Sequence, residues 1–159
     1  MRKLQASVGF VVAMAAGNAL AAEEAFDACL LFTQADAEKA LGTSASPDPV
    51  NPKVKRPKVV TTCTYHGFKD SKPVEARAQF KSARTEAEVQ HAFDDAKLKT
   101  ATKPLLIPGA DASFWSGKTG EMNLRKGRTW LVVTVGSPRP NEREMEPSRQ
   151  LAQALAQKL

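Results

Sequence analysis

The 159-residue chain carries 23 basic and 17 acidic side chains, for a net charge of +6. Its length fits one ordinary domain with a buried core, and no apolar run approaches the roughly 20 residues that a bilayer-spanning helix needs. With two cysteines, two histidines and none of the glycine-rich phosphate-loop patterns, metal centres and phosphate-loop nucleotide sites find little support at the outset.

The chain opens on Met1-Arg2-Lys3, continues through the apolar run Ala6 to Ala16, and reaches the small-residue segment Ala19-Leu20-Ala21. A basic start, an apolar centre of roughly 10 residues and an A-x-A exit describe a secretory signal peptide over residues 1–21, cut after Ala21. Cys29 follows Phe26-Asp27-Ala28, which is no lipid-attachment sequence, so no lipid anchor is expected. The mature chain, residues 22–159, is read as a single periplasmic or secreted domain. In that oxidising setting Cys29 and Cys63 are expected to pair. Closing a loop of about 35 residues stabilises a fold by roughly 3 to 4 kcal/mol in the chain-entropy account.

After Cys29-Leu30-Leu31-Phe32, Thr33 can cap a helix running to about Leu41, with Asp36 in its first turn and Gly42 as its stop. Residues 43–57 hold Pro47, Pro49, Pro52 and Pro57 and little that could be buried, so they read as an exposed loop. Lys58 to Tyr65 reads as a strand with Val59, Thr61, Cys63 and Tyr65 on one side, followed by a turn from Gly67 to Pro73. From Val74 to Ser82 the residues Val74, Ala76, Ala78 and Phe80 alternate with Glu75, Arg77, Gln79 and Lys81, predicting one dry and one wet face. Thr85 and Glu88 form a possible capping box for a helix with Val89, Ala92, Phe93 and Ala96 as its stripe.

A polar link over Lys97 to Lys103 leads to Pro104-Leu105-Leu106-Ile107-Pro108, a short buried or edge segment. Phe114-Trp115 begins a strand, Thr119 to Arg125 is the next, and Lys126-Gly127 closes a hairpin onto Thr129 to Val135. That last run is apolar on both faces, which predicts a central strand covered on both sides. A final helix, starting near Glu142 or Pro147, carries Leu151, Leu155 and Leu159 one turn apart. These elements predict an α+β domain: a mostly antiparallel sheet of about five strands with helices packed on it and one disulfide.

Cys29 before a short acidic-Ala helix, Cys63-Thr-Tyr65, Gly109-Ala-Asp111-Ala112, Phe114-Trp115 and the alternating Leu131, Val133 and Val135 are shared features. In these the chain resembles a family of small exported bacterial proteins of unassigned function, many of them actinobacterial lipoproteins. The resemblance implies fold and compartment; it brings no active site, and the missing lipid-attachment cysteine sets this chain apart.

Chemistry is sparse. His66 and His91 stand in no metal-ligand spacing, and each reads as a solvated turn or helix residue. An alternative reading, a small periplasmic hydrolase, would need Asp111, Ser113 and His66 to converge in one cleft. Asp111 could equally bond the backbone of its own turn. No catalytic residue, metal or cofactor is assigned. The strongest electrostatic feature is the stretch from Lys53 to Arg84, with nine basic residues against Asp70 and Glu75. Lys53, Lys55, Arg56 and Lys58 fall in or beside the proline-rich loop, and Arg77 and Lys81 on a wet strand face. The sequence therefore points to an exported, non-enzymatic binding module of the cell envelope that meets an envelope protein or an anionic envelope polymer through this basic region. An immunity or inhibitor protein against an envelope toxin is a special case. Nucleic acid is not an expected partner, given the export signal and the absence of an aromatic-rich reading motif.

Overall fold

The computed structural model describes residues 27–50, 60–100 and 102–159. The expected signal peptide and the basic residues Lys53, Lys55, Arg56 and Lys58 lie outside the described residues.

Helix α1 (Ala28–Leu31) is a single turn capped by Asp27. Helix α2 (Gln34–Leu41) begins with a full capping box, in which Thr33 accepts from the Asp36 N–H and the Asp36 carboxylate accepts from the Thr33 N–H. It ends at Gly42 with φ 68°, a left-handed cap that a side chain would resist. Strands β1 (Ala45–Pro47), β2 (Val60–Lys69) and β3 (Lys72–Ser82) precede helix α3 (Glu86–Lys99), whose first turn is capped by Thr85. Then come β4 (Thr102–Pro104), β5 (Ala112–Ser116), β6 (Glu121–Lys126), β7 (Thr129–Gly136) and, after a short 3₁₀ turn, helix α4 (Met145–Ala156).

Among the described residues seven strands form one antiparallel sheet in the order β1-β2-β3-β7-β6-β5-β4. The expected α+β architecture is present, but with seven strands in place of about five. The two extra strands are the three-residue flanks β1 and β4, each ending in proline. They are too short to show a period of two, and they fall where proline and lysine suggested loop. The turn expected over Gly67 to Pro73 is also much tighter. The strands pair up to Lys69 and Lys72, leaving only Asp70 and Ser71, both at positive φ, as the loop. His66, read as a turn residue, therefore sits well inside β2.

The run from Thr129 is the middle strand, buried from Leu131 to Gly136. One face of the sheet packs under α1, α2 and α4. Cys63, Ala76, Ala78, Phe80, Met122, Leu124, Leu131 and Val133 form that core together with Leu151 and Leu155 of α4. Burying a side chain of the size of Leu or Phe is worth about 1.5 to 3 kcal/mol each, so this layer dominates the stabilisation. The disulfide between Cys29 and Cys63 is formed and fastens α1 to β2. Beside it, the Tyr65 hydroxyl donates to the Phe32 carbonyl at 3.1 Å, and the two rings meet edge to face with 5.1 Å between centroids. Helix α4 is tied to the end of β7 through Ser148, whose hydroxyl accepts from the Val135 N–H and donates to the Glu144 carbonyl. Lys126 donates to the Ala156 carbonyl at the negative end of the same helix.

Candidate functional site

The opposite face of the sheet is covered unevenly. Helix α3 turns Val89 and Phe93 toward β6 and β7, and the Phe93 ring lies 5.0 Å from that of Phe114 and 6.0 Å from that of Trp130. These are the apolar positions of that face, so α3 has something to bury there. Toward β3 and β2 the same face turns polar. Its side chains are Thr62, Thr64 and His66 on β2 and Glu75, Arg77, Gln79 and Lys81 on β3, all at least partly exposed. The alternation that buries Val74, Ala76, Ala78 and Phe80 on one side necessarily presents the intervening polar residues on the other.

Within this polar half, Lys81 lies where the helix-covered and open regions meet. Its ammonium sits 3.8 Å from the centre of the Trp130 ring, a cation–π contact. The ring is itself fixed by a hydrogen bond from its indole N–H to Asn123. Burial pulls the Lys81 ammonium below the ordinary lysine value; the Glu121 carboxylate works against that pull and the Arg77 guanidinium works with it. Four residues earlier on the strand, Arg77 stands between Thr64 of β2 and Thr134 of β7. Among the described residues no carboxylate lies within ion-pair distance of Arg77 or Lys81. Glu75, two positions from Arg77, is engaged by Arg143 at 3.5 Å. Thr134 is 3% exposed, and its hydroxyl has no hydrogen-bond partner among the described residues.

Of the six basic residues expected to form a contact surface, Arg77 and Lys81 are thus described and share one face; the other four lie outside the described residues. Thr134 was not singled out in the sequence, where a threonine in a β-branched strand reads as packing. Only the pairing register shows that it faces Arg77.

The constellation of Asp111, Ser113 and His66 does not assemble. His66 is on β2 and Ser113 on β5, with β3, β7 and β6 between them. At about 4.8 Å per strand that is on the order of 19 Å, and the two side chains leave opposite faces of the sheet. Each is occupied elsewhere. The Ser113 hydroxyl donates to the Leu105 carbonyl, and His66 pairs with Asp48 at 2.9 Å. Asp111 accepts from the Gly127 N–H at 2.8 Å and from Arg125 at 3.3 Å. It therefore braces the β6–β7 hairpin instead of its own turn. His91 is an exposed helix residue beside Asp95 at 3.6 Å. Among the described residues no three histidine, cysteine or carboxylate side chains gather as a metal-binding set. No described helix is long and apolar enough to cross a membrane.

An open groove of about 660 Å³ lies at one end of the sheet, between the Asp70–Ser71 turn and the segment from Ser137 to Glu144. Its cations Lys69, Lys72 and Arg139 face Asp70, Glu142 and Glu144, so it has no dominant sign. Ser137 and Arg139 hold the Glu142 carboxyl below its ordinary value.

No protein-family model, curated protein or solved structure matches this chain.

Proposed function

We propose that the chain is an exported, non-enzymatic binding module of the cell envelope, periplasmic or secreted, whose contact surface is the basic region from Lys53 to Arg84. The observation that carries this reading is the placement of Arg77 and Lys81 on the open half of the sheet, without a carboxylate partner among the described residues. A cationic side chain without a carboxylate partner can attract an anionic one, and attraction of this kind is weakened by salt. The leader-like residues 1–21 and the Cys29–Cys63 bond favour an oxidising compartment outside the cytoplasm. There the reachable anions are phosphorylated or carboxylated head groups, acidic wall polymers and acidic protein surfaces.

The test is retention of envelope components on the immobilised mature chain at low and at moderate salt. We expect retention that falls with salt and that is lost in Arg77→Glu/Lys81→Glu and in Lys55→Glu/Arg56→Glu/Lys58→Glu. Retention untouched by salt and by both sets of substitutions would remove the basic region as the contact surface.

A further inference from the structure

We propose that Asp48 and His66 form a pH-sensitive fastener, which holds the edge strand β1 on β2 in mildly acidic surroundings and loosens it as they turn alkaline. Strand β1 is three residues long, so its own ladder with β2 is brief. Its beginning is tied by groups that do not titrate near neutrality. The Ala45 carbonyl accepts from Gln34 at 2.8 Å, and the Ala45 N–H donates to Glu38 at 3.3 Å. Those same bonds hold the Glu38 carboxyl below its ordinary value, so it stays ionised. Just before the strand, the Thr43 hydroxyl donates to the Phe68 carbonyl at 2.9 Å.

The far end is tied differently. The Asp48 N–H donates to the Thr64 carbonyl at 2.9 Å, which continues the ladder one step past Pro47. The Asp48 carboxylate then takes the Val50 N–H on one oxygen at 2.8 Å and the His66 Nε2 on the other at 2.9 Å. On the other side of His66 the pairing register places Glu75 directly opposite and Arg77 diagonally on β3, and Glu75 is engaged by Arg143 at 3.5 Å. Helix α3 packs on β6 and β7 and not over this row. Asp48 is therefore the carboxylate in contact with the imidazole. Side chains that ordinarily change charge between about pH 5 and 8 are histidines and reactive thiols; the chain has two histidines, and no described cysteine is free.

The direction follows from the two charges. A protonated imidazole pairs with the Asp48 carboxylate as an ion pair; the neutral ring leaves a hydrogen bond without the opposite charge. The fastening is thus complete on the acid side of the imidazole transition and weakens as pH rises through it. At the other extreme it fails as Asp48 takes up a proton, which the bonds from His66 and Val50 delay to below the ordinary carboxylate range. With 48% and 28% of the two side chains exposed, the pair shifts a local equilibrium by only about two- to five-fold. A terminal three-residue strand can register a change of that size, because such segments open far more often than the whole fold does. When β1 lifts, the backbone of β2 from Thr64 to Gly67 loses its cover, and an uncovered sheet border is where another strand can add.

The test is amide exchange by NMR on the mature chain, corrected at each pH for the intrinsic rate. The Asp48 and Val50 amides report on the fastener, and the Val133 amide in the middle of the sheet reports on the fold. We expect Asp48 and Val50 to be about two- to five-fold better protected at pH 5.5 than at pH 8, with Val133 unchanged. His66→Gln keeps a hydrogen-bond donor without the charge, so it should lower protection at pH 5.5 to the pH 8 level and flatten the dependence. Asp48→Asn should flatten it as well, and His91→Gln should leave it intact. Equal native protection at the two pH values, a pH response that survives in His66→Gln, or one that disappears in His91→Gln would overturn the proposal.

Discussion

Arg143 lies 3.5 Å from Glu75 with only 10% and 14% of the two side chains exposed, and it joins three segments that are distant in sequence. Besides the carboxylate of β3, its guanidinium donates to the Thr119 carbonyl at 2.9 Å and to the Pro138 carbonyl at 3.3 Å. Removing one partner of a shielded ion pair leaves the other charge unmatched, which is the costly way to break it. Arg143→Ala should lower unfolding free energy by about 3 kcal/mol. Adding Glu75→Gln should recover part of that loss. Urea titrations of the two single variants and the double variant check this; strictly additive losses would show that the residues do not act as a pair.

The bond between Cys29 and Cys63 spans 34 residues and anchors a helix of one turn. Its reduction should cost about 3 to 4 kcal/mol, because the unfolded chain regains the freedom that the closed loop denies it. The loss should appear first at Ala28 to Phe32, where amide exchange accelerates while β7 stays protected. An unchanged urea midpoint under reducing conditions would count against it.

Acid should unfold the protein late. At Asp36, burial raises the carboxyl pKa, but hydrogen bonds from Lys158 and Thr33 outweigh it and hold the group below its ordinary value. At the surface, bonds from Arg149 and Gln150 lower Glu146 to about 2, and His66 and the Val50 N–H lower Asp48. A carboxyl whose pKa is lower in the folded chain than in the unfolded one contributes fully above its unfolded value, near pH 4. That contribution disappears as pH falls through the folded value. The main loss of stability is therefore expected below about pH 4. Lys158→Met, which removes the 2.6 Å contact to Asp36, should move the acid transition upward. Circular dichroism across an acid titration decides it.

Thr61 turns its side chain into the apolar layer, 2% exposed, and its hydroxyl has no partner among the described residues. Valine has nearly the same shape without the polar cost. Thr61→Val should raise stability by about 1 kcal/mol, read as a higher melting temperature. Destabilisation would mean that the hydroxyl is satisfied after all.

Much of the framework was legible because the signals were long or chemically specific. The alternation from Val74 to Phe80, the doubly apolar run from Thr129 and the leucine stripe of α4 each repeat often enough to identify both element and buried face. Thr33, Asp36 and Gly42 marked both ends of α2 through their capping chemistry. The flanking strands β1 and β4 offered three residues each, fewer than any periodic pattern requires. His66 was misplaced because Gly67 suggested a turn, whereas the chain reverses three residues later at Asp70–Ser71. The candidate site was half visible. Arg77 and Lys81 follow from the wet side of their own strand, but the meeting of Arg77 with Thr134 depends on β3 lying beside β7, and strand order is a nonlocal property. The same holds for Asp111, whose partner Gly127 is on the far side of a strand.

The short outer strands also bear on how the protein behaves in crowded surroundings. At β1 and β4 the sheet finishes on a brief segment closed by Pro47 and Pro104, residues that have no amide hydrogen to lend a neighbour. Such borders are poor templates for recruiting another chain's backbone, a safeguard against fibrous self-association. Replacing those prolines with valine would extend an adhesive rim along both sides, and concentrated solutions of that variant should cloud before the native protein does.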